Sequence, residues 1–186
     1  MGLSLHYQGS LGDFTRLPDL LSELEDIALS MGWKSRRIER DVENLEFTGV
    51  ILRPDDDTES LPFLFDNSGR LRCLADLICY QPEADSRYSY FVSVKTQFGK
   101  IETHLWIVGL LRYLKAKYLP DLEVSDEGEY WETGNFAVLD ERRNFLASKI
   151  AEIADGLSKL ESRAETPEDL AYEIEAFFRE RFGGGD

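Results

Sequence analysis

Apolar residues along this 186-residue chain fall into two rhythms, and each rhythm predicts an element. Leu3, Leu5 and Tyr7 alternate with Ser4, His6 and Gln8, the period of a strand with one polar face. After a loop over residues 9–16, Leu17, Leu20, Leu21, Leu24, Ile27, Ala28 and Met31 recur three and four apart, the stripe of a helix. Pro18 suits its first turn and Gly32 its end, while Glu23, Glu25 and Asp26 face outward.

A strand-rich stretch follows Trp33. Leu45, Phe47 and Val50 to Leu52 predict one strand, and Leu61 to Phe65 a second. Asp66-Asn67-Ser68-Gly69 has the composition of a tight turn, so a hairpin is expected, with Leu71, Cys73, Ala75, Leu77 and Cys79 on one face of its second strand. In a further strand Tyr88, Tyr90, Val92, Val94, Thr96 and Phe98 share one side, and Ser89, Phe91, Ser93, Lys95 and Gln97 the other. Short links between successive strands read as an antiparallel meander.

The helical period then returns from Ile101 to Tyr118, ended by Pro120. Ile107, Val108, Leu111, Leu114 and Tyr118 make its main stripe; Trp106, Leu110 and Tyr113 make a second, nearly opposite. A helix apolar on two sides calls for two covers. Residues 121–135 are an acidic, aromatic connector with a short strand expected at Leu122 to Ser125. Leu139, Leu146, Ile150, Ile153, Leu157 and Leu160 mark a long helix. Thr166-Pro167-Glu168-Asp169 starts another, continued by Leu170, Ile174, Phe177 and Phe178. These two are expected to fold back as a hairpin that buries Trp106 or Tyr113.

The sum is an α+β fold: a predominantly antiparallel sheet of five to seven strands, in the order β-α-β-meander-α-β, with helices mainly on one face. Residues 1–135 are expected to form the sheet domain, 136–182 a C-terminal helical hairpin packed on the same domain, and 183–186 a flexible tail.

Charge narrows the partners. The chain carries 36 acidic and 21 basic side chains, a net charge of −15, and residues 121–186 alone hold 18 acidic against 7 basic. Such a surface repels phosphate backbones and anionic lipids, so direct nucleic-acid or membrane binding is not expected, and acidic partners are disfavoured. No basic run and no stretch of about 18 apolar residues occurs. Residues 1–12 lack the features of a signal peptide. Cys73 and Cys79, placed in one strand, would stand roughly 20 Å apart and read as small buried hydrophobes in a reducing compartment. The expected location is the cytoplasm.

Signatures of nucleotide hydrolases, dinucleotide enzymes, α/β-hydrolases and zinc sites are absent. Asp55-Asp56-Asp57-Thr58-Glu59 reads as a solvated turn rather than a calcium loop. Two features carry the candidate chemistry. His104 falls inside the buried stripe of the second long helix, where it is either a core histidine bonded to a neighbour or a general base at a cleft. With it, Lys95 and Glu132 complete the candidate catalytic set. Around Tyr130 and Trp131 the acids Glu123, Asp126, Glu127, Glu129 and Glu132 crowd together, a pattern that suits a binding loop with apolar anchors. Candidate binding residues are Tyr130, Trp131, Asp126, Glu127, Gln97 and His6, the last two on a polar sheet face. The sequence names no metal, cofactor, oligomeric state or substrate.

The expected function is a non-catalytic binding or interaction module using the loop over residues 126–135, with a protein partner or a small ligand. The alternatives are a small metal-assisted or histidine-dependent hydrolase with its site near His104 and, more distantly, an acidic nucleic-acid mimic. The charge makes one expectation immediate. In a gel-shift assay at physiological salt the protein should not retard duplex DNA, and retardation that fades as salt rises would contradict this.

Overall fold

Among the described residues seven strands form, all paired antiparallel, and helices make up most of the rest. The computed structural model describes residues 3–42, 45–55, 57–79, 91–159, 164 and 166–182. In chain order the elements are β1 (Ser4–Gln8), α1 (Leu17–Met31), β2 (Lys34–Val42), β3 (Leu45–Arg53), β4 (Leu61–Phe65), β5 (Leu71–Arg72), α2 (Asp76–Cys79), β6 (Val92–Lys95), α3 (Ile101–Lys117), β7 (Glu123–Asp126), α4 (Tyr130–Thr133), α5 (Phe136–Ser158) and α6 (Pro167–Phe182). The strands make two sheets, ordered β6-β1-β7 and β2-β3-β4-β5. By compactness the chain divides into residues 1–143 and residues 144–186. No helix among the described residues is long and apolar enough to cross a membrane.

In the first unit one apolar core serves both sheets. Leu5 and Tyr7 of β1, Val92 and Val94 of β6, Val50 and Leu52 of β3, and Leu61, Phe63 and Phe65 of β4 meet the leucine stripes of α1 and α3 there. Tyr7 ties the sheets together: its fully buried hydroxyl donates to the Pro62 carbonyl at 2.7 Å, and burial pushes its phenol well above the usual pKa. An isolated bridge between Ser10 and Arg70 adds a second link. The α1 stripe buries as its spacing requires, and Gly32 ends the helix in the left-handed conformation, with φ of 71°.

One strand in this unit was not foreseen, and two expectations are corrected. Residues 34–42 form a strand that apolar alternation does not signal, because Lys34, Arg36, Arg37, Glu39, Arg40 and Asp41 surround a single Ile38. The segment from Leu71 to Cys79 is not one strand: pairing stops at Arg72 and the chain curls into α2. The buried Arg72 guanidinium explains the curl, since it donates to Asp66 at 2.8 Å and draws Asp76 to 4.0 Å. Cys73 is accordingly a partly exposed free thiol, its pKa raised by desolvation, rather than a buried strand residue. Finally, neither Trp106 nor Tyr113 is buried; they are 50% and 38% exposed. Of that second stripe only Leu110 enters the core, while the Tyr113 hydroxyl is engaged by Glu23 of α1. The same carboxylate accepts from Lys117 at 2.7 Å and from Tyr118 at 2.6 Å, which together hold its pKa at about 2.

The second unit contains the remainder of α5 and α6. Thr166 and Asp169 cap α6 reciprocally: Oγ1 of Thr166 accepts the Asp169 amide and the Asp169 carboxylate accepts the Thr166 amide. The two helices pack where Gly156 lies against the ring of Phe177. Tyr88 to Tyr90, Asp56, Leu160 and the tail at 183–186 lie outside the described residues.

Two glycines give opposite tests of this packing. Gly49 faces Leu64 across the β3–β4 ladder, and a Cβ there would run into the Phe63 carbonyl oxygen and sit 2.7 Å from Leu64 Cα. Gly109 lies inside α3 with open space around it. In urea unfolding, Gly49→Ala should cost about 2–3 kcal/mol, whereas Gly109→Ala should gain about 0.5–1 kcal/mol.

Candidate functional site

The histidine in the α3 stripe meets a carboxylate inside the protein. Asp126 ends β7 in register with Leu5 of β1, so its side chain points to the inner side of the three-stranded sheet, toward α3. One turn into α3, His104 is 1% exposed, and its Nε2 lies 3.1 Å from Asp126 Oδ2. Nδ1 lies 2.9 Å from the hydroxyl of Thr96, which follows β6 on the same inner side and is 2% exposed. The carboxylate requires a proton on Nε2. The Thr96 hydroxyl then donates to Nδ1, or to the Leu3 carbonyl 3.1 Å away when the ring is doubly protonated.

Asp126 also organises the segment that follows it. Oδ1 accepts the Gly128 amide at 2.7 Å, and Oδ2 accepts the amides of Tyr130 and Trp131 at 2.9 Å each. Three backbone donors and an imidazole thus converge on one buried group. Desolvation alone would raise its pKa. The hydrogen bond and charge of His104, with the Trp131 and Gly128 amides, outweigh that effect and hold the carboxyl below its usual range.

The loop so fixed carries the short helix α4, with Glu129 at its N-cap in the left-handed region at φ of 59°, the one such non-glycine residue among those described. Tyr130 and Trp131 are half-buried and pack on the main core. Arg112 of α3 lies over both rings, 5.6 Å from each centroid, and donates to both carbonyl oxygens, at 3.1 and 2.9 Å. Glu129 pairs with Arg142 of α5, within the first unit.

The other candidates distribute around this brace. Glu132 is exposed and its carboxylate approaches the Asp126 amide at 3.4 Å. Lys95 shares the outer side of β6 with Ser93, so the sheet separates it from His104. His6 and Glu127 lie on that outer side too: Glu127 accepts the Ser4 amide at 2.9 Å and comes within 3.8 Å of the His6 ring, which stacks on Phe91. Gln97 accepts the Leu3 amide at 3.2 Å. His104, Asp126 and Glu132 are therefore brought together, His6, Glu127 and Lys95 occupy the opposite side, and Gln97 ties down the start of β1. Thr96 and Arg112 were not singled out from the sequence. A threonine among the valines of an inward strand face is the one signal that marks the former.

Hydroxyl, imidazole and carboxylate in series resemble a nucleophile relay in composition. Here all three are buried and bonded to one another, so the hydroxyl has no open path to a substrate carbonyl. Among the described residues no group of three or more His, Cys, Asp or Glu side chains is arranged to hold a metal ion. No protein-family model matches the chain, and neither curated proteins nor solved structures return a match.

Because the Asp126 pKa is depressed in the folded chain, its contribution to stability is present above the unfolded carboxyl value near pH 4 and disappears as pH falls through the lower folded value. Asp126→Asn should therefore cost about 2–4 kcal/mol at pH 7. Urea unfolding from pH 2 to pH 7 should show a smaller rise of stability with pH in the variant than in the parent protein.

Proposed function

We propose that this protein is a non-catalytic binding module that engages a protein partner through the loop over residues 126–135 and the adjoining face of α3. The observation that carries this reading is the Asp126 carboxylate, which receives His104 and three amides of its own loop and has no lone pair directed to solvent. His104, the residue best suited to catalysis, serves there to hold a loop. A loop fixed in advance loses little entropy on binding. The left-handed Glu129 supports the same reading, since local strain persists where the surroundings impose a shape.

The presented side chains suit a basic partner. Glu127, Glu129 and Glu132 are the acids that the loop presents, and Trp106 of α3, in the same unit, is a half-exposed apolar side chain. We place the protein in the cytoplasm, where Cys73 would persist as a free thiol.

The test combines binding and turnover. Proteins retained by the immobilised chain from a cell extract are purified and rebound singly. At least one should lose affinity about tenfold when Glu127 and Glu132 are both changed to lysine, because charge reversal at an interface rim removes attraction and adds repulsion. Ester, phosphoester and glycoside substrates should show no turnover above background. Turnover abolished by His104→Asn would overturn the reading in favour of a hydrolase.

A further inference from the structure

The four-stranded sheet has a second face with its own small core and its own charge. Phe47 of β3, Leu64 of β4 and Leu77 of α2 are buried there, with Ile38, Ile51 and Leu74 half-buried around them. Above this floor runs an open groove of about 440 Å³, lined by Arg36 to Arg40, Ile51, Leu74, Leu77 and Ile78. Ile78 is 83% exposed. One wall of the groove is β2, which pairs with β3 on one side and, among the described residues, with no strand on the other.

Charge is sorted by strand parity. Arg37 reaches Glu25 of α1, so Ser35, Arg37, Glu39 and Asp41 belong to the α1 side, as does Glu46, which faces Asp41. Lys34, Arg36, Ile38 and Arg40 alternate with these and belong to the groove side, together with Arg53 opposite Lys34. By register the groove side of β2 and β3 thus carries four basic residues and no acidic one, in a chain of net charge −15, although Glu39 of the opposite parity also borders the groove. The guanidinium groups of Arg36 and Arg40 make no hydrogen bond or ion pair with the described residues. Net charge is a mean over the molecule. A surface charge acts over a Debye length of about 8 Å, so this groove is locally positive.

We infer that β2 is a docking edge for an extended acidic segment of a partner protein, which adds as a fifth strand. This proposal is independent of the loop over residues 126–135. Cross-strand neighbours share a face, so a segment centred on Ile38 would place an aliphatic side chain beside it and acidic side chains beside Arg36 and Arg40. Its recognition pattern is acid-x-aliphatic-x-acid. The pattern reads alike in both directions because Arg36 and Arg40 flank Ile38 symmetrically.

Two other occupants fit less well. A second copy pairing antiparallel through its own β2 about Ile38 would set Arg36 against Arg40 twice, a like-charge contact that opposes association. A single-stranded nucleic acid would meet a groove that no exposed aromatic ring lines among the described residues, on a protein whose overall charge repels phosphate. Charged side chains also shield an edge strand from aggregation. Shielding asks only for charge, however, and leaves unexplained why Arg36 and Arg40 share the groove side while the acids of β2 and β3 lie on the other.

The test is a random 12-residue peptide display library selected on the full-length protein, with a 20-nucleotide oligothymidine as a second probe. The expected result is enrichment of acid-x-aliphatic-x-acid, and slowed amide exchange in β2 when a selected peptide is bound. Arg36→Glu with Arg40→Glu should weaken that peptide about tenfold or more. Ile78→Asp, at an exposed position that leaves the fold intact, should weaken it in the same direction. Selection of no peptide, selection without acids at that spacing, affinity unchanged by both variants, concentration-dependent dimers lost in the double variant, or oligothymidine competing for the groove would each overturn the proposal.

Discussion

The carboxylate of Asp126 is the point through which the first unit's sheet, helix and loop are joined. It stands at the last residue of an edge strand, faces inward because β1 sets its register, and there meets the first turns of α3. Burying a charge is costly unless it is hydrogen-bonded, and here both oxygens are: Oδ2 by the imidazole and two amides, Oδ1 by the Gly128 amide. The consequence spreads in both directions. Toward the sheet, His104 hands the constraint to Thr96 and so to the start of β1. Toward the surface, the amides of Tyr130 and Trp131 are held while Arg112 grips their carbonyls from outside. Removing any one donor would leave part of a buried charge unanswered, which is why the network acts as a unit.

The same economy of charge explains how a strongly acidic chain keeps a basic edge. Acids on β2 and β3 face the side where α1 packs, and Arg37 is neutralised there by Glu25. On the opposite side, among the described residues, Phe47, a few aliphatic residues and a four-residue helix form a small cluster. A face so thinly covered keeps its neighbours in water, where unpaired guanidinium groups carry no desolvation cost.

What was legible in the sequence follows the physics of burial. The α1 stripe, its glycine end and the Thr166-Pro167 start of α6 could be read because each depends on residues adjacent in the chain. His104 could be placed inside the protein by counting turns of its helix. Periodicity reports which side is buried and says nothing of partners. Asp126 was one acid among five until β-sheet register set it against α3, and Thr96 looked like one more residue of an inward strand face. β2 stayed hidden for a related reason: an edge strand need not alternate apolar with polar, since its ladder with β3 supplies the backbone bonding whatever the side chains. α2 was misread because Leu71 to Cys79 alternates well enough for a strand, while a buried ion pair to Asp66, over the hairpin turn, decides where pairing ends.

A histidine, a hydroxyl and a carboxylate in sequence are commonly taken as a sign of catalysis, and here the same three groups are buried and bonded to one another. Catalysis needs one member of such a relay to be left incomplete in the resting protein, so that a substrate can complete it. In this chain the relay is closed at both ends: Thr96 can turn only between the imidazole and the Leu3 carbonyl, and Asp126 is saturated by its own loop. Among the described residues, the charges with no ion-pair partner include Glu132 of the loop that Asp126 fixes and the guanidinium groups of Arg36 and Arg40 on β2. On the two proposals above, binding takes place where the folded chain carries charge at its surface, and those two places have opposite signs.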